Sequence, residues 1–127
     1  MKLTTNFSLA EFDCRDGSEM PDNVLQNITK LAYQMQIIRD YFGKAITVNS
    51  GYRSPTYNKR INGVSKSQHL LGNACDFNVA GLSADRVASG LLTLIANKLI
   101  VNGGLGRYNN FTHYDIRSRK ARWDNRK

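Results

Sequence analysis

The chain is poor in the features that would tie it to a membrane, a disulfide framework or a linker-joined architecture. Its most apolar stretch, "LLTLIA", falls far short of the roughly 20 residues that a spanning helix needs. The N-terminal "MKLTTNFSLAEF" has neither the apolar centre nor the small-residue cleavage site of a secretory leader. The expectation is cytoplasmic synthesis without a signal peptide, the protein staying where it is made until something lets it out. Two cysteines, Cys14 and Cys75, make at most one bridge, and their spacing fits no metal or redox motif. Reduced thiols packed in or near a core are expected, in keeping with a reducing compartment. No repeat, low-complexity tract or Pro/Ser-rich linker divides the 127 residues. One domain over 1–127 is expected, of a size that buries one modest core without disulfides. A hydrophobic content of 41% is that of a folded soluble chain, not a disordered one.

Acidic residues are scarce as well. Ten Asp and Glu stand against 18 Lys and Arg, a net charge of +8, and "RSRKARWDNRK" alone holds six of the basic residues. Such a surface favours polyanions, whether nucleic acid, a membrane surface or an anionic cell envelope, and a solubilising tail fits it equally. Nucleic acid finds no further support and is not expected as a partner. Nothing reads as a recognition helix, and the aromatics are not interleaved with basic residues as a stacking platform requires.

What is present divides into clear segments. "FSLAEF" has Ser8 three residues before Glu11, the capping-box spacing of a short helix, and "CRDGSEMP" reads as a turn. From Asp22 to Phe42 the apolar residues Val24, Ile28, Leu31, Met35, Ile38 and Phe42 recur at steps of three and four, predicting an amphipathic helix ended by Gly43. "AITVNS" reads as a strand, "SGYRSPTYN" as a turn with a short helix after Pro55, and "INGVSKS" as a loop. "ACDFNV" alternates like a strand. "SADRVASGLLTLIANKLI" places Val87, Leu91, Leu94 and Ile95 on one face of a second long helix. "VNGGLGRYNNF" predicts strand–turn–strand and "FTHYDIR" the last strand. The glycines of "GGLGRY" read as a hairpin turn, since the stretch lacks the Lys-Ser/Thr of a phosphate loop and leads into a strand. The fold class that follows is α+β, a small antiparallel sheet with two main helices packed on one side.

The two histidines are the residues most open to chemistry. His113 and Asp115 are two apart in a predicted strand and so share a face, with Phe111 beside them. In "ACDFNV", Asp76 faces away from Cys75 and Phe77, which suits those two to the core and Asp76 to a cleft. His69 lies in the preceding loop, where Gly72 lets the backbone turn and brings it back beside Asp76. Two imidazoles and a carboxylate form an N/N/O donor set suited to zinc with a fourth position left for water. The same spacing equally describes hydrogen-bonded His–Asp pairs with no metal, because neither H-E-x-x-H nor a cysteine pair is present.

Taken together, "SGYRSPTYN", "SQHLLGNACDF", "GGLGRY" and "FTHYDIR" resemble the zinc D-Ala-D-Ala carboxypeptidase-like peptidases of the M15 group, whose fold is shared with the hedgehog signalling domain. The signature S-x-H-x-x-G-x-A-x-D is matched by Ser67, His69, Gly72, Ala74 and Asp76, with His113 in the late strand, and the likeness runs from "FSLAEF" to Arg122–Trp123. The resemblance implies Zn2+ on His69, Asp76 and His113. It also implies that Arg53 reaches the substrate carbonyl or a terminal carboxylate, a task for which an always-charged, two-pronged guanidinium is suited. Ser67 is a candidate to hydrogen-bond substrate, or else an ordinary loop hydroxyl. Tyr52, Tyr108 and Arg107 are placed at the border of the cleft, and Trp123 in packing.

One departure stands out. Many relatives carry an acid or histidine shortly before the third ligand as a general base, whereas here Asn110 and Phe111 occupy those positions. Asp115 is the nearest replacement. It is read as a proton relay, as a group orienting His113, or as the partner of a nearby arginine.

The expected function is a zinc metallopeptidase hydrolysing peptidoglycan stem or cross-link amides, a monomer that acts at the cell wall after release as a phage or prophage endolysin. The alternative is a non-catalytic, zinc-containing cell-wall binding module of the same fold, to which Phe111 points.

Overall fold

The computed structural model describes residues 1–127. A 3₁₀ turn at Leu9–Phe12 starts where the capping box lies, with the Glu11 carboxylate accepting the Ser8 backbone N–H at 2.7 Å. Helix α1 spans Asp22–Phe42 and buries Val24, Ile28, Leu31, Met35 and Ile38, the stripe read from the sequence. Gly43 ends it in the left-handed conformation (φ 63°) and donates its N–H to the Arg39 carbonyl. Strand β1 covers Ile46–Ser50. Helix α2, Pro55–Arg60, opens with proline at a position whose N–H needs no partner, while Ser54 Oγ accepts the Tyr57 N–H. Then come a 3₁₀ turn at Gln68–Leu71, strand β2 at Ala74–Val79 and helix α3 at Ala84–Ala96. Strands β3 (Gly104–Arg107), β4 (Thr112–Asp115) and β5 (Ala121–Asp124) complete the fold.

The five strands form one sheet in the order β1-β2-β4-β3-β5. Its two faces differ sharply. On one, Val48, Phe77, Cys75, Tyr114 and Leu105 join the buried residues of α1 and α3 in a single apolar cluster that also holds Cys14. Both thiols are free and buried. On the other face, the strand register aligns Asp76 with His113, His113 with Gly106, and Gly106 with Trp123. That row across four strands is the floor of the site.

The α+β class holds, but the sheet departs from expectation in three ways. It is mixed, because β5 runs parallel to β3. "FTHYDIR" is not the last strand: the basic stretch after it returns to add β5, which the Arg122 guanidinium ties down by donating to the Gly103 carbonyl at 2.8 Å. The glycines of "GGLGRY" do not form the hairpin turn. Gly104 and Gly106 lie inside β3, and the turn follows it. Helix α3 also stops at Ala96, earlier than its apolar pattern suggested, with Asn97 as its cap and Lys98 in the left-handed region (φ 58°).

The turn that carries His69 toward β2 depends on Gly72. Its φ of +76° disfavours any side chain, and a Cβ there would stand 2.7 Å from Val24 Cγ1 and 2.9 Å from the Val24 carbonyl oxygen. Gly72→Ala is therefore expected to destabilise the protein by about 1–3 kcal/mol. Urea unfolding measures this, and an unchanged midpoint would contradict the placement of this turn against α1.

Candidate metal centre and cleft

Each side chain of the centre is fixed by its own local structure. His69 sits in the Gln68–Leu71 turn, which Ser67 caps by accepting the His69 backbone N–H on its Oγ at 3.2 Å. The His69 ring is 2.7 Å from the Gly51 carbonyl through Nδ1. A carbonyl only accepts, so Nδ1 carries the hydrogen and Nε2 presents a lone pair in the neutral ring. That Nε2 is buried, lies 3.2 Å from Asp76 Oδ1, and makes no hydrogen bond. A lone pair turned toward a carboxylate oxygen is unfavourable unless a cation stands between them.

Asp76 and His113 project from facing positions of β2 and β4, with His113 Nδ1 2.8 Å from Asp76 Oδ1. The other ring nitrogen, Nε2, faces Asp115 Oδ2 at 2.7 Å. Burial alone would lower the His113 pKa, but the hydrogen bonds to Asp115 and Asp76 outweigh it and raise the value. Burial alone would likewise raise the Asp76 carboxyl; the His113 hydrogen bond outweighs it and holds the group well below the usual carboxylate range. One ligand atom from each of His69, Asp76 and His113 lies within 4.8 Å of the others, a grouping able to hold a metal ion. A carbonyl behind one imidazole and a carboxylate behind the other are the outer partners that fix metal-binding histidines.

The centre opens into a cleft of about 560 Å³. Arg53 lines it and is braced on three sides: Nη2 donates to Asp76 Oδ2 at 3.1 Å, Nε to Ser50 Oγ, and Nη1 to Asn58 Oδ1. Ser67, Lys66 and Tyr108 line it too, as expected for Ser67 and Tyr108.

Three expected placements need correction. Tyr52 is 5% exposed, belongs to the apolar cluster and does not border the cleft. Arg107 points elsewhere and pairs with Asp85 at 2.6 Å. Asp115 does not reach the cleft. It is fully buried, and its oxygens receive the Gly104 N–H at 2.9 Å, Arg117 Nε at 2.8 Å and Arg117 Nη2 at 2.7 Å, besides His113. Burial would raise its pKa, yet the Arg117 and His113 hydrogen bonds hold it well below the usual carboxylate range. Its lone pairs are engaged away from the cleft, an arrangement that fits the readings of Asp115 as a group orienting His113 and as the partner of an arginine.

The structure also adds a wall that sequence reasoning missed. Trp123, read as packing, lines the cleft with its ring 4.8 Å from that of His113, and Arg117 stacks over the indole at 5.3 Å. Both come from the basic stretch, whose arginines are largely engaged within the fold and not free in a tail: Arg117 with Asp115, Arg122 with Gly103, Arg126 with Asp124. Gly104 and Gly106 make the wall possible. A Cβ on Gly104 would stand 2.2 Å from Asp115 Oδ2, and one on Gly106 2.4 Å from the indole. The only signal in the sequence was the i, i+2 spacing of those glycines, which gains meaning once β5 is known to lie beside them.

The α+β sheet thus bears, at the floor of a cationic cleft, a buried His–Asp–His cluster able to hold a metal ion. Residues 5–115 match the sequence profile of the family described as Peptidase M15, and the chain belongs to that family. It is similar to the zinc D-Ala-D-Ala carboxypeptidase of Streptomyces albus G, with 35% identity over 77 residues, 56% of this chain. The matched region spans 30% of that protein's length. Strand β5 and Trp123 lie beyond the part of the chain that the family profile covers.

Since Trp123 is the chain's one tryptophan, its fluorescence reports on this wall. Gly106→Ala is expected to push the indole off β3 toward water and move its emission to longer wavelength. An unchanged spectrum would contradict the close contact between β3 and the ring.

Proposed function

We propose that residues 1–127 form a single zinc-dependent peptidase domain that hydrolyses amide bonds in the peptide stems or cross-links of peptidoglycan. The observation that carries this reading is the orphaned His69 Nε2, buried and facing Asp76. His69 through Nε2, an Asp76 oxygen and His113 through Nδ1 would hold the ion, an N/N/O set of the kind zinc takes. Bound there, zinc supplies Lewis acidity for activating water and polarising the scissile carbonyl.

The protein's own groups prepare the rest. The Gly51 carbonyl and Asp115 fix the two imidazoles, so the ligand atoms converge without rearrangement. Arg53 is held in place before substrate arrives. It supplies positive charge to the substrate's carbonyl oxygen or terminal carboxylate. Ser67 Oγ accepts the His69 N–H, which leaves its hydroxyl hydrogen for a substrate acceptor. Arg53, Lys66 and Arg117 line the cleft against one acid, Asp76, a balance that favours peptides bearing carboxylates, as peptidoglycan stems do. The net charge of +8 would hold such an enzyme to an anionic envelope, which suits a phage or prophage endolysin. No helix is long and apolar enough to cross a membrane.

A second reading, a zinc-containing module that binds cell wall without cutting it, draws on one observation. Asp76 is the only carboxylate lining the cleft, so no free acid stands ready as general base. Turnover separates the two. On purified cell walls, release of peptide fragments, identified by mass spectrometry, is expected to stop on complete chelation and return with added zinc. Release that survives metal removal would refute the metallopeptidase reading, and binding with no release in the zinc-loaded protein would favour the module. Asp115→Asn is expected to weaken zinc affinity by about 10- to 100-fold in competition with a chelating dye. An unchanged affinity would show that Asp115 does not position His113.

A further inference from the structure

The cleft contains a phenol hydroxyl to which the chemistry above gives no task. Tyr108 follows β3 and lines the same cleft as Arg53, His69, Asp76 and His113. Its ring stacks on Phe111 across the β3–β4 turn, with centroids 4.3 Å apart and planes 13° apart. Its hydroxyl oxygen accepts the Trp123 Nε1–H at 2.8 Å, and the indole that donates lies against the His113 ring. An indole N–H only donates, so the phenol oxygen is the acceptor and its own hydrogen is left without a partner in the protein. Phe111 thus holds the ring by its face and Trp123 by its tip.

This unpartnered donor stands in a cleft whose only carboxylate is Asp76. Arg53 approaches the ligand pair from the β1 side of Asp76, whereas Tyr108 and Trp123 approach from the β3 side of His113. We infer that Tyr108 is a catalytic residue of this site, its hydroxyl donating a hydrogen bond to the oxyanion that forms when water adds to the scissile carbonyl. A donor fixed before the charge develops is what makes such stabilisation effective, because no reorganisation is needed at the moment of reaction. The inference rests on the peptidase reading above and assigns Phe111 and Trp123 as the residues that position the donor.

The test compares the zinc-loaded wild type with Tyr108→Phe and Trp123→Phe, measuring zinc content, kcat and KM on a defined stem peptide, and affinity for a phosphinate analogue of that peptide. Tyr108→Phe is expected to lower kcat about 100-fold, with KM little changed, and to weaken phosphinate binding by a similar factor. Its zinc content should stay at the wild-type level, showing an intact centre. Trp123→Phe keeps an aromatic ring in the wall but removes the N–H, and kcat should fall by about fivefold. A Tyr108→Phe enzyme with wild-type kcat and phosphinate affinity, or with only a raised KM, would overturn the role while leaving the peptidase reading intact. A wild type that neither cleaves the peptide nor binds the phosphinate would refute the peptidase reading and this role with it.

Discussion

The pairing of β2 with β4 is the constraint on which the site depends. It sets Asp76 opposite His113 on one face and Cys75 opposite Tyr114 on the other. Because side chains alternate along a strand, a slip of one residue would carry Asp76 into the core and Phe77 into the cleft. The buried row of Val48, Phe77, Cys75, Tyr114 and Leu105 therefore does more than fill space. Its apolar contacts with α1 and α3 hold the register that brings two of the proposed metal ligands together.

Buried charge is the cost of this arrangement, and the structure meets it by pairing. Asp76 is shared between His113 and Arg53, and Asp115 among His113, Arg117 and the Gly104 N–H. Isolated carboxylates at these depths would lose several kcal/mol of solvation each. The two clusters meet at His113, whose ring bridges the two acids. A proton or a cation on its Nδ1 side is thus felt by the whole network, and the ring has little freedom to turn. Gly104 and Gly106 extend the same logic to the next strand: each gives up a side chain so that an acid or an indole can lie flat on the sheet.

Much of this was legible before any coordinates. The α1 stripe ends at Gly43 as its periodicity required, and the facing of Asp76, opposite to Cys75 and Phe77, followed from strand alternation alone. His69, Asp76 and His113 were placed together by a glycine turn and a family-like signature, and they do lie together. What escaped was non-local. Strand β5 is short, lies in a basic stretch and runs parallel to a partner some 17 residues earlier in the register, Gly104 with Ala121, and charge patterning carries no mark of such pairing. Without β5, Trp123 looked like packing, the glycines like a turn and Arg117 like part of a tail. Tyr52 was misplaced, and the three readings of Asp115 stayed undivided, for a related reason. Sequence spacing gives the face a residue shares but not which neighbours, such as the apolar cluster or Arg117, already occupy it.

The central claim is that the three donors converge on one ion, and diffraction from crystals grown with zinc tests it most directly. Anomalous differences measured on either side of the zinc absorption edge are expected to show a single strong peak bonded by His69 Nε2, an Asp76 oxygen and His113 Nδ1, with Asp115 still holding the far side of the His113 ring. A peak elsewhere, no peak at saturating zinc, or His113 turned to bind through Nε2 would contradict it.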